Sequence, residues 1–306
     1  MENMRATDAL NAMDFSDLET QIERLKQKEL IIKNETAAKK TLVKASYYSL
    51  INGYKKPFLS NFSTEEPKPP EKFLPNVHFV DIHNLYKFDA KLRQIVLTIA
   101  LAIEEDLASI LAHIVSDTYC NPAKPETFRS KDDGLPLSYF NKRTLNIRKE
   151  KRWERTKLLN DVTTLITNPS AVPIKYYGDH QLDLPPWVLV KGLSFGNFIS
   201  WYNLSKGHVK QRIVGTFLRV APQCVTDDQK SNVYYALKLI QLFRNVAAHG
   251  GRIYNFEAAH VEFPYMEKYH LRLFGITKEQ HAQGRGASDF LAFILAIFFK
   301  CTRASR

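Results

Sequence analysis

Hydrophobic residues recur along most of the chain at intervals of three and four residues, the spacing that places side chains on one face of an α-helix. The longest such stretch covers residues 81–117, where the apolar positions are Phe88, Leu92, Ile95, Ile99, Ile103, Leu107, Ile110 and Ile114. Helices are also predicted over 142–167, 187–204, 206–219, 227–249 and 289–301. No stretch alternates polar and apolar residues over the length of a strand. The pattern therefore predicts an all-α fold.

Capping residues mark two of the predicted helix boundaries. Ser16 and Glu19 have the spacing of a capping box in front of an N-terminal helix. Thr226 is a candidate N-cap for the helix over 227–249, and the pair Gly250 and Gly251 is a candidate stop. This second helix is therefore predicted with defined boundaries at both ends.

Polar and proline-bearing stretches separate the predicted helices. We predict a single domain over 1–306, with an N-terminal helical segment at 1–58 and a core at 81–301. Loop insertions in that core are expected at 118–140, 168–186 and 252–286. No internal repeat is visible.

Composition narrows the class of protein. The chain has 306 residues and a net charge of +11, which raises the expectation of a polyanionic partner. Its three cysteines are far apart, which argues against a disulfide framework and a thiolate zinc site. The N-terminal residues lack the apolar core of a signal peptide, and the apolar run 290–299 is too short to span a bilayer. We therefore expect a soluble, cytoplasmic protein with no membrane association.

The positive charge is concentrated in one segment. Between 142 and 157 there are two acidic residues and eight basic ones, namely Lys142, Arg143, Arg148, Lys149, Lys151, Arg152, Arg155 and Lys157. Trp153 and Tyr139 lie nearby, and this combination is typical of a surface that binds phosphates and stacked bases. A solvated helix face is the alternative. Lys55 and Lys56 are further candidate phosphate contacts, beside tyrosines that more often belong to a core.

The segment 242–250 holds the candidate catalytic residues. Arg244 and His249 are separated by four residues at the end of a predicted helix, and Asn245 follows the arginine directly. Arg244 falls within an apolar stripe, where a guanidinium is costly unless an anion or a carboxylate meets it. A buried Arg paired to a carboxylate, with His249 as a helix cap, is therefore the structural alternative.

Helix geometry limits how these residues can act together. Arg244 and His249 are about 140° apart on an ideal helix, so they face one substrate only if the helix unwinds at Gly250 or if two such helices meet. Asn245 lies one turn from His249, so its amide can orient the imidazole. The helix dipole favours a protonated His249, which suits a general acid.

Other candidate sites are weaker. Arg93 and Glu104 lie on one face of the long helix, where an internal ion pair is expected; Glu104 or Asp106 close to Arg244 is the alternative. His78 and His83 lack the spacing and the partners of a metal site, and no nucleotide-binding or serine-hydrolase motif is present. We assign no metal and no cofactor.

Several segments resemble the bacterial abortive-infection proteins (Abi-like, AbiD/AbiF type) of the HEPN superfamily. The matching segments are YYSLINGYKKPF at 47–58, FDAKLR at 88–93, IE at 103–104, PWV at 186–188, LSFG at 193–196, and RN at 244–245 through His249. The resemblance implies a HEPN-like helical bundle, here with additional N-terminal and inserted helices. It also implies relatedness to RNA-guided type VI CRISPR nucleases.

The resemblance further implies an activity. In that family an Arg-x(4–6)-His motif cuts RNA without a metal ion, usually at a site shared by two HEPN units, so a homodimer is expected. His249 would then transfer protons, Arg244 would hold the phosphate, and Asn245 would fix the imidazole or donate to the phosphate. The expected role is a toxin-like endoribonuclease in phage defence, controlled by a small structured RNA that acts as an antitoxin. The alternative is a non-catalytic HEPN module that serves as a scaffold for a specific RNA.

Overall fold

The computed structural model describes residues 16–60, 71–124, 137–141, 143–180 and 184–301. The regular structure in these ranges is helical, and β-pairing in them is limited to isolated bridges such as that between Leu59 and Phe73. The predicted all-α fold is therefore confirmed. The chain forms two compact units, Met1–Leu92 and Arg93–Arg306. The prediction of a single domain stays a prediction.

The first unit contains short helices around an apolar core. Its helical elements are α1 (Leu18–Gln27), α2 (Glu35–Ala45), a π-helical turn (Tyr48–Asn52), a 3-10 turn (Lys56–Phe58) and the first turns of α3 (Phe79–Val115). Its fully buried side chains include Ile22, Leu25, Leu50, Ile51 and Ile82. Burying such residues is the main source of stability for elements this short.

The predicted capping box at the start of α1 is wrong by one residue. The N-cap is Asp17, whose carboxylate accepts a hydrogen bond from the backbone N–H of Thr20 at 2.7 Å. Aspartate is as good an N-cap as serine and adds a favourable interaction with the helix dipole.

The second unit is a helical bundle. Its central helix is long and comes late in the sequence. After the remainder of α3, its α-helices are α4 (Arg152–Thr167), α5 (Val172–Asp179), α6 (Pro186–Leu189), α7 (Phe195–Leu204), α8 (Gly207–Leu218), α9 (Asp227–Ala248), α10 (Glu267–Phe274), α11 (Lys278–Ala282) and α12 (Phe290–Cys301). Helix α9 packs against α7, α8 and α12. Phe243 on α9 lies edge-on to Phe256 and close to Phe293, which anchors this face in the core.

The apolar helix α12 is buried along one face, as predicted. Within the ranges given above, no helix is both long enough and apolar enough to cross a bilayer.

Helix boundaries differ from the prediction in three places. The α-helix predicted from residue 142 begins only at Arg152, after a 3-10 turn at Lys149–Lys151. The stretch 168–186, expected to be a loop, contains α5. A proline lies at the start of this helix, where its missing backbone N–H costs no helical hydrogen bond. The stretch 252–286 contains α10 and α11. These helices have one or two turns, too few for a clear apolar repeat.

Candidate functional site

Helix α9 carries the Arg244–His249 segment and is regular throughout it. Thr226 caps its start in a capping box with Gln229, as the sequence predicted for the N-cap. The helix continues to Ala248, and His249 is the C-cap residue. Gly250 then adopts a left-handed conformation, with φ of 72°. Because the turn comes after His249, the helix does not unwind between the two residues, and within one chain they project about 140° apart.

Arg244 is held by a carboxylate from the long helix α3. Its Nη2 lies 3.6 Å from Glu104 Oε2, and the two side chains are 32% and 17% exposed. Arg244 Nη1 also donates to Asn245 Oδ1 at 3.4 Å. The buried Arg244 Nε and the buried Glu104 Oε2 both lack a hydrogen-bond partner among the described residues, so the two side chains form a long ion pair and not a hydrogen bond. The guanidinium thus lies beside Glu104, but its Nε–H donor is buried without a hydrogen bond. Such a donor costs free energy unless a ligand accepts from it.

Opposing effects act on the pKa of the Glu104 carboxyl. Burial raises its pKa, while the charge of Arg244 and the backbone N–H of Phe195 act to lower it, and the net pKa lies above the ordinary value. The cost of burying the charge of Glu104 therefore outweighs the attraction of Arg244.

The structure corrects the expected ion pair between Arg93 and Glu104. The two lie eleven residues apart on α3, about 16 Å along the helix axis, which is too far for an ion pair. Arg93 instead donates to the backbone carbonyl of Gly251 at 3.5 Å, just beyond the motif. Glu104 meets Arg244, which was the alternative, and Asp106 pairs with Lys300.

His249 is exposed at the end of α9. Among the described residues its ring has no hydrogen-bond, ionic or aromatic partner, and the amide of Asn245 contacts Arg244. An accessible imidazole at a helix C-terminus is suited to proton transfer with a bound substrate. The expected Asn245–His249 contact is not present in this conformation.

The basic segment is largely solvent-exposed. Arg143, Arg148, Lys149 and Arg152 are all exposed, whereas Lys142 lies outside the described residues. Arg155 has a structural contact, because its Nη1 donates to the Asn146 carbonyl at 2.8 Å. The segment therefore presents several cations to solvent.

Lys151 in the basic segment and Tyr139 close to it in sequence are less accessible to solvent. Lys151 is half-buried, 3.8 Å from Glu154 and 5.7 Å from the centre of the Tyr234 ring. Tyr139, expected near the surface, is buried and donates to the Leu184 carbonyl at 2.8 Å. It is unavailable for stacking on a base, whereas Trp153 is 75% exposed.

A polar groove of about 440 Å³ lies beside the basic segment. Helix α7 packs against both α4 and α9. The groove is lined from α4 by Trp153, Lys157 and Asp161, and from α9 by Tyr234, Lys238 and Gln241. The contribution of α9 to this groove was not predicted from the sequence. The missed signal was the polar spacing of 234, 238 and 241, which places these residues on one helix face.

Lysines are crowded around this region. Burial and the charges of Lys151, Lys230 and Arg148 lower the pKa of Lys210 to about 8, against a smaller opposing effect of Glu154. Burial also lowers the pKa of Lys238, where the opposing charge of Glu154 outweighs the smaller effect of Lys157. Burial is the main cause in both lysines, and a bound anion would favour their protonated forms.

Lys55 and Lys56 belong to the first unit and differ in accessibility. Lys55 Nζ lies 2.6 Å from Glu71, which also binds Lys28 at 2.7 Å. Lys56 is exposed. The charge of Lys55 is therefore largely compensated within the protein, and the role of both lysines in binding RNA stays a prediction.

Metal-ligating residues are dispersed. In the part of the chain that the structure describes, no group of three or more His, Cys, Asp and Glu side chains could hold a metal ion.

Comparison with known proteins places the chain in a family. No curated protein and no solved structure matches it. The family model described as Abi-like protein matches residues 40–255, which include Glu104, Arg244 and His249 as well as the groove. Because the match covers more than two thirds of the sequence, the chain belongs to the family of Abi-like proteins.

Proposed function

We propose that the protein is a metal-independent endoribonuclease of the HEPN type that acts in phage defence. Membership of the Abi-like family associates the chain with abortive infection. The observation that supports the nuclease is the end of α9, where a carboxylate-oriented guanidinium with an unpartnered Nε lies five residues from an exposed imidazole. These are the groups that RNA cleavage needs, a phosphate ligand and a proton-transfer group.

In the proposed reaction the RNA supplies its own nucleophile. The 2′-hydroxyl attacks the adjacent phosphorus, the bond from phosphorus to the 5′-oxygen breaks, and His249 removes the 2′-proton or protonates the leaving oxygen. Arg244 stabilises the charge that develops on the phosphate, and Glu104 positions the guanidinium. The products are a 2′,3′-cyclic phosphate and a 5′-hydroxyl.

The proposed active site combines two chains. Since Arg244 and His249 project in different directions from a regular helix, one chain does not direct both side chains at one phosphate. A homodimer related by a twofold axis brings two copies of each residue together. A small structured RNA bound to the basic surface would then hold the enzyme inactive until infection.

Substitution of the two motif residues tests the activity. We expect His249→Ala and Arg244→Ala each to lower the rate of RNA cleavage by at least about 100-fold. Matched controls are His113→Ala, an exposed histidine on α3, and Arg272→Ala, an arginine that is 72% exposed on α10. Cleavage should persist in excess EDTA and leave cyclic phosphate ends. Equal cleavage by the motif variants and the controls would refute the assignment.

A second candidate is a non-catalytic scaffold that binds a specific RNA. It is favoured by the divergence of Arg244 and His249 within one chain and by the compensation of Arg244 by Glu104. The oligomeric state separates the two candidates. A monomer that binds RNA tightly and leaves it intact supports the scaffold, whereas a dimer that cleaves RNA supports the enzyme.

A further inference from the structure

One face of α9 links the polar groove to the motif. Tyr234, Lys238, Gln241 and Asn245 follow one another at steps of four, three and four residues, so they lie on one side of the helix. The first three line the groove. Gln241 and His249 are eight residues apart, about 12 Å along the axis. A strand of RNA that lies along this face would therefore reach both the groove and the end of the helix.

The opposite wall of the groove has a matching stripe. Trp153, Lys157 and Asp161 are spaced by four residues along α4 and share one face. The indole is 75% exposed, and Lys157 Nζ lies 5.5 Å from its ring centre. On the α9 wall, Lys238 Nζ lies 6.0 Å from the centre of the Tyr234 ring. Each wall thus offers an aromatic face beside an ammonium group, the combination that binds a base next to a phosphate.

Residues of α7 also line the groove, and one of them holds a carboxylate of the α4 wall. Asn197 Nδ2 donates to Asp161 Oδ2 at 2.7 Å, which fixes the carboxylate in place. A carboxylate has about four acceptor positions, so further capacity remains. Gly196 allows close approach of Gln241, because a Cβ at residue 196 would come within 2.6 Å of the Gln241 amide nitrogen. The α4 wall of the groove therefore carries an oriented acceptor.

We propose that this groove binds two adjacent unpaired nucleotides of RNA and favours cytosine over uracil at one of them. One base stacks on Trp153, the phosphates contact Lys157 and Lys238, and the exocyclic N4 amino group of the neighbouring base, about two helical turns along α4, donates to Asp161. Cytosine carries that donor, whereas uracil carries an acceptor oxygen at the same position. If the protein cleaves RNA as proposed, the groove would select the base a few nucleotides from the cut, whereas the binding preference itself does not depend on cleavage.

Tryptophan fluorescence tests the binding without any cleavage. The chain has three tryptophans, of which Trp201 is buried, so Trp187→Phe leaves Trp153 as the exposed one. The probes are 2′-O-methyl decamers of cytidine and of uridine, which lack the nucleophile. We expect quenching by the cytidine decamer, binding about tenfold tighter than that of the uridine decamer, and loss of quenching in Trp153→Phe. Absence of quenching in the Trp187→Phe protein would overturn the proposal.

Asp161→Asn tests the base preference. An amide offers both a donor and an acceptor, so we expect the tenfold preference for cytidine to fall to about threefold or less. Asp179→Asn, an exposed aspartate at the end of α5, is the matched control and should keep the full preference. A preference that is unchanged in Asp161→Asn, or equally lost in the control, would contradict the assignment.

A cleavage experiment separates this proposal from the proposed function. In a library of random single-stranded RNA, the parent protein should enrich cytosine at one fixed position near its cut sites, and Asp161→Asn should remove that enrichment. If the parent cleaves no RNA but the decamer preferences hold, the nuclease assignment fails and the groove assignment stands. If the parent cleaves and the decamers bind without preference, the groove assignment fails alone.

Discussion

Tyr54 and Lys55 of the first unit are paired within the protein, whereas Arg244 and His249 of the second unit are not fully paired within the described part of the chain. In the first unit, the buried Tyr54 hydroxyl donates to the buried carboxylate of Asp89 at 2.7 Å, and Lys55 pairs with Glu71. In the second, Arg244 retains a buried Nε without a partner among the described residues, and His249 is exposed. Both sets fall within the region that matches the Abi-like family. Polar residues of the matched region can therefore be structural in one unit and available to a ligand in the other.

The two basic regions show the same contrast. Glu71 accepts from both Lys28 and Lys55, so one carboxylate compensates two cations. Around α4, by contrast, Glu154 and Asp161 accept hydrogen bonds from the amides of Asn203 and Asn197. Those carboxylates are thus partly engaged by neutral groups. Local charge density alone does not decide which region binds a polyanion, since the partners of each lysine matter as well.

Charge reversal in the basic segment should have the largest effect on RNA binding. The triple variant Arg148→Glu, Lys149→Glu and Arg152→Glu changes exposed side chains. If each cation contacts one phosphate of single-stranded RNA, the slope of log K against log salt concentration should fall by about 2, and affinity near 0.15 M salt by about 100-fold. Titrations at several salt concentrations measure both.

The control for this experiment keeps the total charge equal. Lys33→Glu, Lys40→Glu and Lys44→Glu reverse three exposed lysines of the first unit and change the net charge by the same amount. We expect this variant, and the pair Lys55→Ala and Lys56→Ala, to retain most of the affinity. Equal losses in the two triple variants would show that only net charge matters, and the contrast between the regions would then fail.

Loss of the buried hydrogen bond between Tyr54 and Asp89 should lower the free energy of unfolding more than the other substitutions considered in the first unit. Tyr54→Phe removes a hydrogen bond to a buried carboxylate, and we expect the free energy of unfolding to fall by about 2 kcal/mol. Tyr48→Phe is the matched control in the same motif, because that side chain is 78% exposed. Urea-induced unfolding compares the two variants. Indistinguishable midpoints would mean that Asp89 does not depend on the tyrosine hydroxyl.

Much of the fold follows from the sequence because long helices repeat their apolar positions many times. Helix α3 was predicted within two residues at each end, and α9 within one. Helices α5 and α10 have eight residues each, which is two turns, so their apolar repeats are short and they were expected to be loops. The N-cap at Asp17 was missed because Ser16 offered an equally good capping residue one position earlier.

The candidate site was predictable only in part. Arg244, Asn245 and His249 are close in sequence, so their spacing could be recognised. The partner of Arg244 is 140 residues away on another helix, and only the packing of α3 and α9 selects Glu104 over Asp106. The groove likewise combines residues from α4, α7 and α9, which no local pattern connects.

Removal of the shared carboxylate of the first unit should have the smallest effect. Glu71 is 35% exposed, so solvent screens its ion pairs, and we expect Glu71→Gln to lower the free energy of unfolding by only about 0.5–1 kcal/mol at pH 7. Burial raises the pKa of Glu71, but hydrogen bonds and charges of Lys28 and Lys55 outweigh it, and the net pKa is lowered. The carboxylate therefore stabilises the folded state above its unfolded pKa, and this contribution disappears as the pH falls through the folded pKa.

The pH dependence distinguishes this compensation from simple packing. Unfolding of the parent protein and of Glu71→Gln should differ at pH 7 and converge at a pH below the lowered pKa of Glu71, because the protonated carboxyl is then isosteric and neutral like the amide. Glu29→Gln is the control, since Glu29 pairs with Lys72 at the exposed surface and should change stability less. A difference that persists unchanged at low pH would assign the effect to packing. The ion pairs of Glu71 with Lys28 and Lys55 would then contribute little to stability, and the expectation that these lysines are occupied within the protein would be weakened.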